Sequence, residues 1–445
     1  IVVDMKSGRV LYEKNAHTRR AIASTTKIMT AIVAIEKGNL DDKVKVSKKA
    51  ASIRGSTIHL KAGEELTLKE QLYGWMIRSG HDAAIAIAEH IGGSVEGFAA
   101  LMNEKVKELG LKNTQFVTPH GLDTPGHYST AYELAQIARY ALKNPTFSQI
   151  VGTQNINAAG RSFYTTNEML GAYPGADGVK TGYTGQAGRC LVTSATRNDM
   201  RFISVVLNCS SRTVRAQSSR AILDYAFNNY SLYTLLDEDD NVGYITVLKG
   251  KEDKIKVVPE KGIEMPLTED EKNNMEVDVC LYYDKINAPV PSDLEVGYIE
   301  FLANGKSIAK VALKTDCGVE RKHFIDYYRD VLGIIHESFD AIPITQNYIL
   351  QLHKILYSHM NNPLAGHTKS VQNYISATYP DGHTEILFTP LAPYETAEAL
   401  DRICEEYNRV IGNMEVEPLI AIPVFIHDFL CIHPFNDGNG RMSRL

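Results

Sequence analysis

Apolar residues change their spacing twice along this 445-residue chain, and that change most restricts the fold available to it. Up to about residue 230, helical spacing alternates with short apolar runs, which is typical of helices packed on antiparallel strands. Residues 243–315 alternate apolar and polar side chains, the pattern of an all-β domain, and after residue 318 the spacing is helical. We therefore predict a multidomain protein with an α/β domain, a small all-β domain and an all-α domain.

The predicted domain boundaries follow the same changes in pattern. The acidic run 237–240 is typical of a solvated boundary. We predict one domain over residues 1–232, a second over 233–317, a linker or seam over 318–338 and a third domain over 339–445. The predicted helices span 24–37, 69–92 with a break near 79–80, 95–109, 130–143, 215–227, 322–338, 345–360, 394–412 and 416–430.

Composition excludes several classes of protein. An apolar share of 44% and a charged share of 22% exclude a disordered chain and a bundle of membrane helices. The net charge of -6, without a block of positive charge, argues against nucleic acid as the main partner. The six cysteines form no C-x-x-C pair, so neither a zinc ribbon nor a redox pair is predicted. The chain opens at Ile1 without a signal peptide, so we expect a processed form or a fragment.

A serine and a lysine one helical turn apart form the first candidate site. Ser24 and Lys27 lie at i and i+3, on one face of the first predicted helix. Serine needs a nearby base to act as a nucleophile, and a lysine whose pKa is lowered by burial can supply it. The alternative is structural, because serine is also a common helix N-cap. Ser307 and Lys310 have the same spacing, but they lie in an alternating strand, so we interpret that pair as surface residues.

Two further motifs follow in order. Ser79-Gly80-His81 falls at the predicted helix break, and Lys180-Thr181-Gly182 precedes the strands expected at 190–207. A Lys-Thr-Gly on an edge strand presents a positive charge, a hydroxyl and an unhindered backbone to a peptide carboxylate. An S-x-x-K, an S-x-N-like and a K-T-G motif in this order are the set found in penicillin-binding proteins and related β-lactamases.

Residues 1 to about 316 thus resemble a low-molecular-mass penicillin-binding protein, a serine-type D-alanyl-D-alanine carboxypeptidase. The segments 4–8, 113–116, 121–123 and 128–130 resemble further features of the family, as does the trailing β domain. The resemblance implies a serine transpeptidase or β-lactamase-like α/β fold for the first domain. It also implies peptidoglycan stem peptides as substrates, β-lactams as inhibitors, no cofactor and an extracytoplasmic location.

The same resemblance implies a role for each catalytic residue. Ser24 would attack the carbonyl between two terminal D-alanines, and Lys27 would accept its proton. Ser79 would relay a proton toward the leaving amine, helped by Lys180. The family usually carries asparagine where this chain has His81, and we expect function to survive with an altered pH profile, because histidine changes charge near physiological pH.

The substrate contacts are also carried over from the family. The backbone N–H groups of Ser24 and Tyr183 would form the oxyanion hole. The substrate carboxylate would be held by Lys180, Thr181 and Arg215, with Gly182 keeping the strand backbone accessible. The predicted substrate-binding residues are therefore Thr181, Gly182, Tyr183 and Arg215.

A second candidate site lies in the last thirteen residues, HPFNDGNGRMSRL. The stretch Gly438-Asn439-Gly440 can expose consecutive backbone N–H groups to an anion. Asp437 is a hard oxygen ligand suited to Mg²⁺. Arg441 and Arg444 stand at i and i+3, so both can face bound phosphates.

His433, at the start of this stretch, is placed to act as a general base toward an incoming hydroxyl. One alternative is a polar loop followed by a basic helix. A metal pair of His427 and His433 is another alternative, but spacing of i and i+6 fits one helix face poorly.

The full motif H-x-F-x-[D/E]-G-N-G-R-x-x-R is matched, and residues from about 339 onward resemble the Fic domain. The hairpin predicted at 377–390 is similar to the target-docking flap of that family. The resemblance implies transfer of AMP from Mg-ATP to a Ser, Thr or Tyr hydroxyl of an unknown protein target. Because the chain stops at Leu445, one residue after the last arginine of the motif, we expect a C-terminally truncated Fic domain.

The two resemblances imply different compartments, one outside the cytoplasmic membrane and one supplied with cytosolic ATP. A joined fragment, natural or artificial, is therefore a hypothesis. The sequence favours a serine D-alanyl-D-alanine carboxypeptidase with an appended Fic domain. The alternatives are a protein AMP-transferase tethered to a peptidoglycan-binding module, and two inactive modules that serve only in binding. Membrane association through segments outside this chain stays open.

Overall fold

The computed structural model describes residues 1–358 and 362–445. The chain folds into two compact units. The first unit contains residues 1–238, 261–278 and 300–310. The second unit contains residues 239–260, 279–299 and 311–445.

The secondary structure mixes short strands and helices. The strands are β1 Val2–Asp4, β2 Val10–Tyr12, β3 Lys43–Lys45, β4 Glu65–Thr67, β5 Asn155–Ala158, β6 Arg161–Tyr164, β7 Ala176–Thr184, β8 Gly188–Arg197, β9 Met200–Cys209, β10 Ser231–Leu236, β11 Gly243–Leu248, β12 Lys254–Pro259, β13 Ile263–Leu267, β14 Met275–Leu281, β15 Lys285–Asn287, β16 Glu295–Ala303, β17 Lys306–Thr315, β18 Ile375–Thr378 and β19 Thr384–Phe388. The helices are α1 Lys27–Lys37, α2 Lys48–Ala51, α3 Leu68–Arg78, α4 His81–Gly92, α5 Val95–Glu108, α6 Ala131–Ala141, α7 Pro145–Gly152, α8 Arg212–Asn229, α9 Glu269–Asn273, α10 Phe324–Ser338, α11 Gln346–Leu356, α12 Pro393–Gly412, α13 Pro418–Ile432 and α14 Asn439–Met442.

Five strands of the first unit form one antiparallel sheet in the order β2-β1-β9-β8-β7. Because side chains alternate along a strand, the two faces of this sheet build two separate cores. On β8, Leu191 belongs to the core that holds Leu223 of α8, whereas its neighbour Val192 belongs to the core shared with α1, α3 and α6. Helices therefore bury both faces of the sheet, which confirms the α/β prediction, and β7 forms one edge.

The β-rich region follows the sheet domain. Within the first unit β10 pairs with β13, and within the second unit β12 pairs with β11 and β17. β11 also pairs in parallel with β15. The prediction of an all-β region is confirmed except for α9, a short helix that begins with a capping box between Thr268 and Glu271. That local signal lies inside an alternating pattern, which concealed it.

The second unit ends in the helical region formed by α10 to α14 and the hairpin β18–β19. Its core consists of Val331, Ile349, Leu356, Tyr357, Leu400, Cys404, Phe429, Phe435 and Met442. Val331 lies on α10, within the segment 318–338 that the sequence suggested as a linker. Because α10 contributes to this core, we propose that the third domain starts at α10 rather than at residue 339. The helix predicted over 345–360 ends at Leu356, and its last two predicted residues lie outside the described residues.

Several short elements were not predicted, namely α2, α7 and the two hairpins β3–β4 and β5–β6. Their strands are three or four residues long, which is too short for apolar periodicity to identify them. The most apolar helix of the helical region, α13, is 15 residues long. Among the helices of the described ranges, none combines the length and apolar character needed to cross a membrane.

Candidate functional site

The Ser24 hydroxyl, the Lys27 amine and the Ser79 hydroxyl lie in direct contact. Lys27 Nζ is 3.0 Å from Ser24 Oγ, 2.9 Å from Ser79 Oγ and 3.0 Å from the Ser79 carbonyl oxygen. Ser24 lies in a 3-10 turn over Ala23–Thr26, and α1 begins only at Lys27. The predicted helix start at residue 24 is therefore three residues early. Ser24 caps neither the turn nor the helix, which removes the N-cap alternative.

Burial lowers the pKa of Lys27 well below its usual range. The side chain is 0% exposed, so desolvation penalises its charged form. The positive charge of Lys180 lowers the pKa further, and the Asp82 carboxylate opposes the shift. A lysine in this setting can take a proton from a neighbouring hydroxyl near neutral pH.

Ser79 and His81 lie at the break between α3 and α4, where the sequence placed them. Ser79 has a left-handed φ of 69°, which ends α3 and brings both polar groups of the residue to Lys27. His81 Nδ1 lies 3.2 Å from the Arg54 carbonyl oxygen, so Nδ1 donates and Nε2 is left as an acceptor.

The buried ring of His81 does not titrate where the sequence suggested. Burial and the positive charges of Lys27 and Lys180 together lower its pKa to about 4. The expected change of charge near physiological pH is therefore wrong. At neutral pH the imidazole is uncharged and resembles asparagine in charge.

Lys180, Thr181 and Gly182 lie on β7, the edge strand of the sheet. A Cβ atom on Gly182 would lie 2.9 Å from the Ser24 backbone nitrogen and 3.0 Å from the Ala23 Cβ. The absent side chain therefore allows β7 to pass close to the turn that holds the serine. Strand and turn together form the two sides of the candidate site.

The side chains of β7 differ in their exposure. Lys180 is 1% exposed, and its Nζ donates to the Thr181 carbonyl oxygen at 3.1 Å. Burial, together with the Arg215 guanidinium, lowers the pKa of Lys180 to about 7. Thr181 Oγ1 lies 2.9 Å from Thr166 Oγ1. Tyr183 is 56% exposed, with the Arg189 guanidinium stacked over its ring.

Arg215, on α8, is buried beside β7. Its Nε and one terminal nitrogen donate to the two carboxylate oxygens of Glu168 at 2.8 and 2.6 Å. The other terminal nitrogen lies 3.5 Å from the Gly182 carbonyl oxygen and 3.3 Å from that of Cys190. The sequence placed Arg215 against a substrate carboxylate, whereas in the structure it holds a carboxylate of the chain itself.

Two further buried residues of the site were not predicted. The His120 carbonyl oxygen lies 3.5 Å from Ser24 Oγ, and the His120 ring lies 5.4 Å from that of His81 between centroids. Burial lowers the pKa of His120 to about 3. The Asp82 carboxylate accepts from the backbone N–H groups of Ile58 and Leu60. The only sequence signal for Asp82 is its position directly after the Ser-Gly-His motif.

The second candidate site is a loop that α11 and its own side chains hold in place. Asn439 Oδ1 accepts from the Phe435 N–H at 2.8 Å, and Asn439 Nδ2 donates to the Phe435 carbonyl oxygen at 2.7 Å. The Phe435 ring is 0% exposed and stacks on His353 at 3.7 Å between centroids. His353 Nδ1 accepts from the Gly366 N–H, so Nε2 carries the hydrogen and donates to the Asp437 carbonyl oxygen at 3.1 Å.

His433 ends α13 in a left-handed conformation, with φ at 51°. Its Nδ1 lies 3.3 Å from the Leu430 carbonyl oxygen, and partial burial lowers its pKa. The backbone on both sides of it is held by Lys369, whose Nζ donates to the Ile432 carbonyl oxygen and whose N–H donates to that of Pro434. Lys369 was not predicted, and no motif in the sequence identifies it.

The charged groups of this loop contact one another. Asp437 Oδ1 lies 2.8 Å from Arg441, and Arg441 also contacts the Tyr357 hydroxyl. Gly438 has φ at 88°, and a Cβ there would lie 2.5 Å from the Tyr357 hydroxyl, so both conformation and space require glycine. The remaining predicted residues, Asn439, Gly440 and Arg444, lie on or beside α14.

The metal-pair alternative finds no support. His427 is exposed and contacts Asp428 and Cys431, its neighbours on α13. Over the ranges that the structure describes, no group of three or more His, Cys, Asp or Glu side chains is arranged to hold a metal ion.

Three family models match consecutive parts of the chain. Residues 1–211 match the D-alanyl-D-alanine carboxypeptidase model, and residues 230–321 match that of the penicillin-binding protein 5 C-terminal domain. Residues 343–445 match the Fic/DOC family.

Curated relatives and solved structures agree with the first two matches. The chain is 39% identical to the D-alanyl-D-alanine carboxypeptidase DacF of Bacillus subtilis, over 75% of this chain and 88% of the relative. It is 35% identical to the D-alanyl-D-alanine carboxypeptidase DacC of Escherichia coli, over 77% and 89%. Penicillin-binding protein 5 from Haemophilus influenzae superposes with a TM-score of 0.66 at 29% identity, covering 72% of this chain and 96% of that one.

The match to DacF covers most of both chains, and the predicted motifs meet at one site in the part that it spans. The predicted fold classes are confirmed by the same comparisons. The chain therefore belongs to the D-alanyl-D-alanine carboxypeptidase family, and it carries a Fic/DOC domain in addition.

Proposed function

We propose that this protein removes the terminal D-alanine of peptidoglycan stem peptides through an acyl-enzyme on Ser24. One observation carries the proposal. The buried Lys27 Nζ lies 3.0 Å from Ser24 Oγ and 2.9 Å from Ser79 Oγ, so a single amine connects the nucleophile to a second hydroxyl. Because the pKa of Lys27 is lowered, its neutral form has a lone pair for the Ser24 proton.

Acylation would proceed by transfer of that proton as Ser24 Oγ attacks the carbonyl between the two D-alanines. The tetrahedral oxyanion would be held by the backbone N–H groups of Ser24 and Tyr183. Lys27 would pass a proton through Ser79 to the nitrogen of the departing D-alanine, and the C–N bond would break. Water would then attack the ester, releasing the shortened peptide and restoring Ser24.

The substrate would lie along β7. The edge of a sheet can hold an extended peptide by backbone hydrogen bonds, and Gly182 leaves that edge open beside Ser24. Thr181 and Lys180 would hold the terminal carboxylate, Lys180 in its protonated form. β-Lactams would acylate Ser24 by the same route. This proposed activity implies that the protein works outside the cytoplasmic membrane.

Intact-protein mass after mixing with a β-lactam tests this proposal. We expect one adduct per chain, lost in Ser24→Ala and retained in Ser307→Ala. Ser307 is a matched control because it belongs to the other S-x-x-K sequence, on β17. An adduct that persists in Ser24→Ala would contradict the assignment of the nucleophile.

We propose a second activity for the Fic/DOC domain, transfer of AMP from Mg-ATP to a hydroxyl of an unidentified protein. Two observations favour it. Asn439 and His353 fix the loop backbone, and Asp437 keeps a largely exposed carboxylate, with its side chain 63% exposed. One carboxylate completed by waters and phosphates is a common way to bind Mg²⁺, so the residues present fit the ion.

In this activity Asp437 would hold Mg²⁺, which when bound offsets the charge of the phosphates. Arg441, Arg444 and the backbone of Gly438-Asn439-Gly440 would hold the phosphates themselves. His433, whose lowered pKa keeps it neutral, would take the proton from the target hydroxyl as the oxygen attacks the α-phosphorus. Pyrophosphate would leave with its bridging oxygen.

ATP with a tagged adenosine, added to the full chain and to a bacterial lysate, tests this second activity. We expect labelled protein that disappears in His433→Ala and remains in His427→Ala, an exposed histidine on the same helix. Label that is insensitive to His433→Ala would exclude the proposed base. Failure of both this assay and the β-lactam assay would favour two modules that serve only in binding.

A further inference from the structure

The Arg215–Glu168 pair beside β7 carries an inference about substrate choice. The Arg215 side chain is 4% exposed, whereas that of Glu168 is 29% exposed. Both carboxylate oxygens of Glu168 accept from the guanidinium, at 2.8 and 2.6 Å, which is the bidentate geometry that arginine makes with a substrate carboxylate. Glu168 therefore already occupies the place on Arg215 that a peptide carboxylate would take.

This pair lies next to the groups that would hold the end of the substrate. Arg215 reaches the carbonyl oxygen of Gly182, where an added Cβ would lie 2.9 Å from the Ser24 backbone nitrogen. Thr166, two residues before Glu168, has its hydroxyl 2.9 Å from that of Thr181. The segment that carries Thr166 and Glu168 is thus joined to β7 twice, directly through the Thr166 and Thr181 hydroxyls and indirectly through Arg215.

The pair also changes the charge of this part of the site. Three basic side chains, Lys27, Lys180 and Arg215, lie at or beside the candidate site, and burial lowers the pKa of both lysines. The Arg215 guanidinium is a cation, and the Glu168 carboxylate offsets its charge in direct contact. Among the three basic side chains, Arg215 is therefore already paired with an anion.

We propose that Glu168 is a specificity-determining residue that weakens the preference for a leaving group with a free carboxylate. It does so by neutralising Arg215, which leaves Thr181 and Lys180 as the carboxylate-binding groups. The substrate class that benefits consists of D-alanyl acyl donors whose leaving group is uncharged or has its carboxylate masked. The inference rests on the proposed carboxypeptidase function and deepens it.

The test uses two D-alanyl thioesters that differ only in the leaving group, one ending in thioglycolate and the other in the methyl ester of thioglycolate. Both acylate a serine by the same chemistry, and only the first carries a carboxylate. The measured quantity is the ratio of kcat/KM for the charged thioester to that for the methyl ester, in the full chain and in Glu168→Gln. Glu264→Gln is the matched control, because it removes an ion pair with Lys6 elsewhere in the same unit.

We expect Glu168→Gln to raise this ratio by at least about threefold, through a lower KM for the charged thioester, because Arg215 gains an unpaired charge. Glu168→Asp keeps the charge and should keep the ratio of the natural chain. A ratio that falls in Glu168→Gln would mean that Glu168 only positions Arg215 for the substrate, and an unchanged ratio would mean that the pair does not sense the leaving group. Either outcome overturns the inference.

The proposed function can fail separately. If the natural chain hydrolyses neither thioester and forms no β-lactam adduct, the assignment of Ser24 fails. If the natural chain hydrolyses both thioesters and Glu168→Gln leaves the ratio unchanged, only the role of Glu168 fails. Should Glu168→Gln not fold, Glu168→Ala gives the same comparison, because it also removes the carboxylate that neutralises Arg215.

Discussion

Burial decides the protonation state of the two lysines of the candidate site. Lys27 is fully buried near a second cation, Lys180, and the Asp82 carboxylate opposes the loss of its charge. Placing two ammonium groups in one desolvated site is costly, so one of them gives up its proton first. The pKa of Lys180 is about 7, so it stays partly protonated near neutral pH. Lys27 can therefore act as a base while Lys180 still carries a proton, although both residues are lysines.

His81→Asn should reduce the sensitivity of the first unit to acid. In the folded state the pKa of His81 is about 4, whereas an unfolded histidine titrates near 6.5. Between these two pH values the unfolded state therefore binds a proton that the folded state does not. The stability that neutral His81 contributes is complete above about pH 6.5 and is lost as the pH falls toward 4. Asparagine does not titrate, so the loss on acidification should be smaller by up to about 3 kcal/mol.

The measurement is the melting temperature of the transition that a bound β-lactam raises, compared at pH 7 and pH 4.5. His17→Asn is the matched control, since its side chain is 63% exposed in the same unit. We expect β-lactam adduct formation by His81→Asn at pH 7. Equal acid sensitivity in His81→Asn and the natural chain would show that the pKa of His81 is not lowered in the folded state.

At the scale of elements, we expect the close approach of β7 to the Ala23–Thr26 turn to control the rate of the proposed reaction. Gly182→Ala would place a Cβ 2.9 Å from the Ser24 nitrogen and 3.1 Å from the Ile22 carbonyl oxygen, so strand and turn must separate. Both atoms belong to the backbone and cannot turn aside. We expect the rate of acylation by a β-lactam to fall by at least about tenfold, or about 1.4 kcal/mol in the barrier, with the fold retained.

Gly185→Ala is the control for this prediction. Gly185 follows β7 directly, and among the residues that the structure describes, its chain neighbours aside, no heavy atom lies within 4 Å of the Cβ that it would gain. The rate for Gly185→Ala should match that of the natural chain. If Gly182→Ala acylates as fast as Gly185→Ala, the close approach of strand and turn is not needed for the reaction.

The elements also show where sequence patterns suffice and where they do not. The motif order led to the candidate site, where Ser24 and Ser79 both contact Lys27 and Lys180 lies on the edge strand β7. Short apolar runs at 190–193 and 202–207 predicted the strands β8 and β9. Periodicity could not separate the 3-10 turn from α1, because both have nearly the same apolar spacing. It also could not reveal Glu168 as the partner of Arg215, since this contact joins residues 47 positions apart through the fold.

The whole molecule combines two sites with different chemical needs. In the proposed reactions, Ser24 would require a peptide substrate and water, whereas the loop at His433 would require a nucleotide. The first belongs to a matched domain over residues 1–211 and the second to one over 343–445. The assays on Ser24→Ala and His433→Ala therefore test the two activities separately. The domain boundaries predicted from the sequence stay predictions, with α10 proposed as part of the third domain.

The amine of Lys27 joins two hydroxyls from residues 3 and 52 positions away along the chain, and the strand that closes the site comes from still farther along. Such a grouping exists only after most of the surrounding domain has folded. If a β-lactam acylates Ser24 as proposed, adduct formation also reports on correct folding. In any preparation, the fraction of chains that carry the adduct would then measure the fraction that reached the native arrangement.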